Sequence, residues 1–238
     1  MTRSITRNIL RSLVRFLFKM LTHVEVARMD YLPKQGGMII AVNHLSRLDP
    51  PLVFALIDRP EVTALVADKY KKMPFFRWFI NRVGGIWLNR DEADVQALRA
   101  ARDHLKSGGV LGIAPEGTRS RTGALIPAKT GVAYLAEKAG VPIFPAAIYG
   151  TEDAMYKILR FHRPKIYVQF GEPFIVTPFH RGERSAALQK YTDEIMARIA
   201  AMLPPDYRGV YAGHSRLQEL LAENAQDGSS PVVFKSPW

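Results

Sequence analysis

Hydrophobic positions near the start of the chain repeat at helical spacing. Ile5, Ile9, Leu13, Phe16, Leu17, Met20 and Leu21 fall mostly on one side of a helix predicted over residues 4–21. Arg3, Arg7, Arg11, Arg15 and Lys19 recur every four residues, mostly on its other side. Beyond it the period changes. His23–Ala27 reads as a short strand, residues 33–37 as a turn, and Met38–Val42 as a continuous apolar run of strand length. A helix opened by Pro50 and Pro51 then runs to about Ile57. Val62–Ala67 and Ile86–Leu88 are further strands, separated by a basic and aromatic stretch at 69–82 that ends before Gly84-Gly85. Helices are predicted from about Glu92, capped by Asp91, to Lys106, and from Lys129 to Lys138, stopped at Gly140. Val110–Ala114 and Ile143–Tyr149 are apolar strands, while Lys165–Phe170 alternates and suits a less buried or edge strand. A helix over Ser185–Met202 closes at Pro204-Pro205, and a short one is expected near Arg216–Glu223.

This alternation of strand and helix predicts an α/β fold, a mostly parallel or mixed central sheet flanked by helices. Residues 1–22 form the amphipathic helix, 23–207 the α/β domain, and 208–238 a tail that packs on it. No internal repeat or linker divides the chain further.

Composition narrows the function. The 238 residues are 47% hydrophobic, enough for one well-buried core. Cysteine is absent, which excludes disulfides, thiolate metal ligands and a cysteine nucleophile. Thirty-three Lys and Arg against 22 Asp and Glu leave a net charge of +11, which favours anionic partners. No acidic residue precedes Glu25, so the first helix suits an interfacial position, its apolar side in the headgroup boundary and its basic residues against anionic lipid. Charges interrupt it too often for a membrane span, and no small-residue cleavage site marks a signal peptide. The expected location is therefore the cytoplasmic face of the cell membrane, peripheral or monotopic. In the 69–82 stretch, Lys69, Lys71, Lys72, Arg77 and Arg82 alternate with Tyr70, Phe75, Phe76, Trp78 and Phe79, a mixture suited to an acyl groove or a lipid surface, with ordinary burial of the rings as the alternative. The basic stripe has an apolar partner face and no nucleic-acid motif accompanies it, so nucleic acid is not an expected partner.

Candidate chemistry concentrates in Asn43-His44-Leu45-Ser46-Arg47-Leu48-Asp49-Pro50. Five positions apart on one helix, His44 and Asp49 would point about 140° apart. The two prolines instead start the helix there, with Asp49 as N-cap, so that residues 44–48 form a turn that folds the imidazole onto the carboxylate. A carboxylate on one ring nitrogen fixes the tautomer and leaves the other as a general base. No Gly-x-Ser-x-Gly elbow supports a serine nucleophile, and Ser46 suits a turn residue. The other histidines are scattered without a ligand pattern, so no metal is expected.

Three further blocks follow: Gly85-Ile86-Trp87-Leu88-Asn89-Arg90, Pro115-Glu116-Gly117-Thr118-Arg119-Ser120 and Val141-Pro142-Ile143-Phe144-Pro145. In this order and spacing the four blocks resemble the glycerolipid acyltransferases of the lysophosphatidic acid acyltransferase (PlsC-like) family, over roughly residues 38–150. The resemblance implies that His44 is the catalytic base and Asp49 its orienting carboxylate. It implies acceptor binding by Arg90, Glu116, Gly117, Thr118 and Arg119, an acyl-CoA or acyl carrier protein donor, and no permanently bound cofactor. Ala114 and Trp87 stand where other residues are common, which bears on the lipid groove and not on proton transfer. The implied reaction moves a fatty acyl group from a thioester to the 2-hydroxyl of 1-acyl-sn-glycerol-3-phosphate (lysophosphatidic acid), giving phosphatidic acid. The alternatives are the same chemistry on glycerol-3-phosphate, dihydroxyacetone phosphate or a lyso-aminolipid, and a non-catalytic lipid-binding membrane protein.

Overall fold

A computed structural model describes residues 2–89, 94–226 and 232–238. Seven strands form one sheet: β1 (His23–Ala27), β2 (Met38–Val42), β3 (Val62–Ala67), β4 (Ile86–Leu88), β5 (Val110–Ile113), β6 (Ile143–Tyr149) and β7 (Lys165–Phe170). Their order is β1-β7-β6-β2-β5-β3-β4. β1 and β7 are parallel to each other, β7 is antiparallel to β6, and the remaining neighbours are all parallel, so the sheet is mixed. β2 and β6 lie at its centre and are apolar on both sides; every residue of β2 is buried.

Among the described residues eight α-helices flank the sheet: α1 (Thr2–Leu21), α2 (Asp49–Leu56), α3 (Pro74–Val83), α4 (Val95–Lys106), α5 (Gly131–Ala139), α6 (Ala154–Leu159), α7 (Arg184–Met202) and α8 (Ser215–Gln226). On one face α4, α5, α7 and α8 bury Leu105, Leu135, Ile195 and Leu217 against Ile39, Leu111 and Ile143 of the sheet. On the other, α1 and α2 pack Phe18, Leu52 and Leu56 over Ile40, Phe144 and Ile166. Each sheet residue changes face with its neighbour, and helices on both sides make that alternation invisible in the apolar runs.

Several expected boundaries move. The first residue of α4 is Val95, capped by the Asp94 carboxylate, which accepts from Ala97 N at 2.9 Å, rather than a helix from Glu92; Asp91 and Glu92 lie outside the described residues. β7 is interior rather than an edge strand. Its alternation has another cause: Tyr167 stacks on Tyr149 at 4.8 Å and is met by Phe234 of the tail, so one face of β7 is covered by aromatic rings. The tail also pairs along β1, with Val26 and Lys235 exchanging both backbone hydrogen bonds at 2.8 and 2.9 Å.

The first helix leaves its apolar side outward, as expected, but its arginines do not face outward with it as expected. Arg11 is 4% exposed; it donates to Arg59 O at 2.5 Å and lies over the Phe54 ring at 5.1 Å. Arg15 donates to Ala55 O at 2.7 Å and pairs with Asp58 at 3.3 Å, while Arg7 lies 5.8 Å from the Phe54 ring centroid. Burial and the neighbouring Arg11 charge bring the Arg7 guanidinium down to about 10. These basic residues therefore face α2. Lys19 stays exposed, and the side chain of Arg3 lies outside the described residues. The outward side is the apolar one: Ile5, Ile9, Leu13, Phe16, Leu17 and Met20 are all exposed. The physical reason is local, because the C-terminal end of α2 offers carbonyls and Asp58 as partners for guanidinium groups.

Candidate active site

β2 ends in the middle of the sheet, and the chain turns over the carboxyl ends of the parallel strands before α2 begins. Here open α/β sheets form their crevices. Pro50 and Pro51 lie in the first turn of α2, where a missing N–H loses no helical bond. Asp49 is the first residue of that helix rather than its N-cap; Leu48 takes the cap position. The carboxylate serves the preceding turn instead. Its Oδ2 accepts from Leu45 N and Ser46 N, both at 2.7 Å, and meets His44 Nδ1 at 2.9 Å. Oδ1 accepts from the Thr151 hydroxyl at 2.6 Å. Three N–H donors and one O–H thus hold a carboxylate that is only 2% exposed.

A carboxylate only accepts, so His44 Nδ1 carries the proton in this pair and Nε2 is the ring's basic nitrogen. The imidazole is partly exposed. Asn43, fully buried, exchanges two 2.8 Å hydrogen bonds with the backbone of Ile148 and so locks the end of β2 to β6. That clamp fixes the height from which His44 projects.

The third block approaches from β5. Glu116 is 2% exposed; its Oε1 accepts from His44 N at 2.9 Å and its Oε2 from Ile126 N at 3.2 Å. Burial raises its carboxyl to about 7, and those two backbone donors offset only part of the effect. Glu116 therefore braces the backbone of His44 rather than lining a surface for ligand. Ser120 N donates to His44 O at 2.8 Å, so both backbone polar groups of His44 are held by this block. Thr118 and Arg119 are exposed between these two braces. The Arg119 guanidinium makes no hydrogen bond or ion pair among the described residues. Gly117 adopts φ +67°, and a Cβ there would meet the stem of Lys129 at 3.2 Å. Arg90, the second-block arginine, lies outside the described residues.

Two contributors were not visible to sequence reasoning. Thr151 is 102 positions from Asp49 and lies past the end of β6 in an unremarkable charged connector. Lys129, expected only to open a helix, places its side chain beside Gly117. The loop carrying Arg119 is also closed from behind by the C-terminal region. Leu125 N donates to Tyr207 O at 2.9 Å, Val210 N to Leu125 O at 3.2 Å, and Ala128 N to the Tyr211 hydroxyl at 3.1 Å. Among the described residues no group of three or more His, Asp or Glu gathers as a metal site.

Comparison with known proteins agrees on one chemistry. Residues 23–149 match the family model described as Acyltransferase, a span that contains His44, Asp49, Glu116 and Arg119. A 1-acyl-sn-glycerol-3-phosphate acyltransferase of Borreliella burgdorferi is 30% identical over 183 residues, covering 74% of this chain and 71% of that protein. The protein of the same description from Escherichia coli is 26% identical over 67% of this chain and 66% of its own length. The one from Saccharomyces cerevisiae is 28% identical, and the match spans 58% of it. In structure, the chain is similar to the crystallised 1-acyl-sn-glycerophosphate acyltransferase PlsC of Thermotoga maritima, with a TM-score of 0.63 and 27% identity over 81% of this chain and 77% of that one.

Proposed function

Since this chain belongs to the acyltransferase family, we propose that it moves a fatty acyl group from an acyl-CoA or acyl carrier protein thioester to the 2-hydroxyl of 1-acyl-sn-glycerol-3-phosphate, forming phosphatidic acid. The observation that carries the reading is the His44–Asp49 pair at 2.9 Å, with an exposed, unpaired Arg119 on the loop that braces it. His44 Nε2 takes the hydroxyl proton as the oxygen attacks the thioester carbonyl. Asp49 stabilises the imidazolium so formed. The C–O bond forms, the C–S bond breaks, and the thiolate leaves with the proton returned from His44.

Arg119 offers a planar fork for the acceptor phosphate, and Lys129 a second positive charge beside it. Fixing the phosphate there holds the free hydroxyl near the imidazole, and this orientation is the main contribution of remote binding energy. Glu116 acts as a positioning residue through the His44 backbone. The acceptor is itself a lipid, so the enzyme works at a bilayer surface. No helix of the described residues is long and apolar enough to cross a membrane. The outward apolar side of α1, with Phe75, Phe76 and Trp78 of α3 beside it, is the surface that meets lipid in this reading.

The test is acyl transfer by the purified chain to a panel of acceptors. Arg119→Ala should raise KM for 1-acyl-sn-glycerol-3-phosphate by about tenfold to a hundredfold while leaving slow transfer to 1-acylglycerol unaltered. Equal loss on both acceptors contradicts the phosphate role.

A further inference from the structure

α6 and the turn after it carry a surface that the catalytic reading does not use. Ala154 is buried on the same sheet face as α1 and α2, but Met155, Tyr156 and Leu159 point outward, Leu159 with 74% of its surface exposed. Phe161 is 100% exposed and holds φ +60°, a left-handed conformation that aromatic residues rarely adopt. The left-handed turn closes the end of α6, with Phe161 N donating to Ile158 O and His162 N to Lys157 O, both at 2.9 Å, and it leaves the ring without packing among the described residues. Cations surround these residues: Lys157, Arg160, which lies 4.3 Å over the Tyr156 ring, and Arg163. Between 154 and 165 there is no acidic residue, and the nearest one, Asp153, is paired with Lys157 at 2.8 Å.

The turn is fastened to the end of α1. Arg163 donates to Lys19 O at 2.6 Å and to Thr22 O at 2.9 Å. This ties the turn that carries Phe161 to the end of α1, the helix that exposes Phe16, Leu17, Met20 and Leu21. Rings and aliphatic chains interleaved with cations, only one of them, Lys157, offset by a carboxylate, match the boundary between headgroups and acyl chains of an anionic bilayer.

We propose that residues 155–163 are a second membrane contact, with Phe161 inserted into the same anionic bilayer that α1 meets. This rests on the membrane reading of α1 given above. α6 starts three residues after Thr151, which holds Asp49, so the second contact fixes the height and tilt of the catalytic pair over the lipid surface. α1 and the neighbouring α3 aromatic residues form one contact area, and a further contact beside the C-terminal end of α1 widens the base on which the domain rests.

The chain contains no cysteine, so a single introduced one takes a nitroxide label uniquely. Labels at Phe161→Cys and Phe16→Cys, with Lys106→Cys on the opposite face as control, are measured with and without vesicles of phosphatidylcholine and phosphatidylglycerol. The proposal predicts that with vesicles the labels at 161 and 16 become accessible to oxygen and shielded from a water-soluble nickel chelate, while the label at 106 does not change. A label at 161 that stays in water while 16 is shielded overturns the second contact and leaves the α1 reading standing. Both staying in water overturns both, and shielding at 161 in vesicle-free solution at high protein concentration assigns the surface to a second copy of the chain instead. Phe161→Gly supplies an independent readout: it relieves the left-handed strain, so the melting temperature should hold or rise while vesicle affinity falls roughly tenfold. Unchanged vesicle affinity in this variant contradicts the proposal.

Discussion

Asp49 shows how much one side chain is asked to hold. Its two oxygens take four hydrogen bonds, of which only one goes to the imidazole. Asp49→Asn keeps the shape but sets an NH2 group among donors, and it no longer stabilises an imidazolium; turnover should fall about 10³- to 10⁴-fold with little change in KM. Thr151→Val removes the one hydroxyl on Oδ1 and leaves that oxygen buried without a partner, which costs about 1–3 kcal/mol in denaturant unfolding. It should also lower kcat, and Thr151→Ser should restore it; failure of the serine to do so would give Thr151 a packing role only. Glu116 makes a prediction in pH. Burial holds its carboxyl protonated up to about 7 against 4.5 in the ordinary state, so between those values the folded chain keeps a proton that the unfolded chain has lost. Stability therefore falls as pH rises through that window, by on the order of 3 kcal/mol. Glu116→Gln starts less stable, since its NH2 faces a backbone N–H, but the slope should vanish; an unchanged slope assigns it to other groups. Of these residues, the histidine and aspartate were legible in the sequence because prolines mark where the helix must begin. Thr151 was not, since only the pairing of β2 with β6 brings position 151 to position 49.

At the scale of elements, strands were read well where an apolar run is short and bounded by glycine or proline, as in β2 and β6. Periodicity gives two faces of a helix but not which one turns inward. α1 illustrates the difference: its arginines find carbonyl acceptors and Asp58 at the end of α2, which the sequence of α1 alone does not contain. The consequence is measurable. Arg11→Ala should lower the melting temperature, corresponding to about 1–3 kcal/mol, because Arg59 O loses its partner and Phe54 the nearer of its two cations, while vesicle binding persists. Phe16→Ser with Leu17→Ser should do the reverse, weakening vesicle binding with the melting temperature unaltered. If the arginine variant is the one that releases vesicles, the basic side of α1 is the lipid-facing one. β7 carries a similar lesson: its alternation is real, but the exposed-looking side is covered by Tyr149 and Phe234, which sequence distance hides.

For the whole molecule, the family match ends at residue 149, yet the segments after it close the structure. Tyr207, Val210 and Tyr211 hold the loop behind Arg119, and Lys235 pairs with the free edge of β1. Deleting residues 232–238 should uncover that edge and the Tyr167 ring, lowering the melting temperature and promoting association between copies, seen by light scattering. Little of this was legible, because the tail lacks strong periodicity and acts through single backbone bonds. The central claim concerns one proton. The measurement that tests it most directly is the turnover of His44→Ala against the unaltered chain, with acyl-CoA and 1-acyl-sn-glycerol-3-phosphate in the same vesicles and matched circular dichroism. A fall of about a thousandfold or more is the predicted result; turnover retained within tenfold would place the base elsewhere and contradict the account.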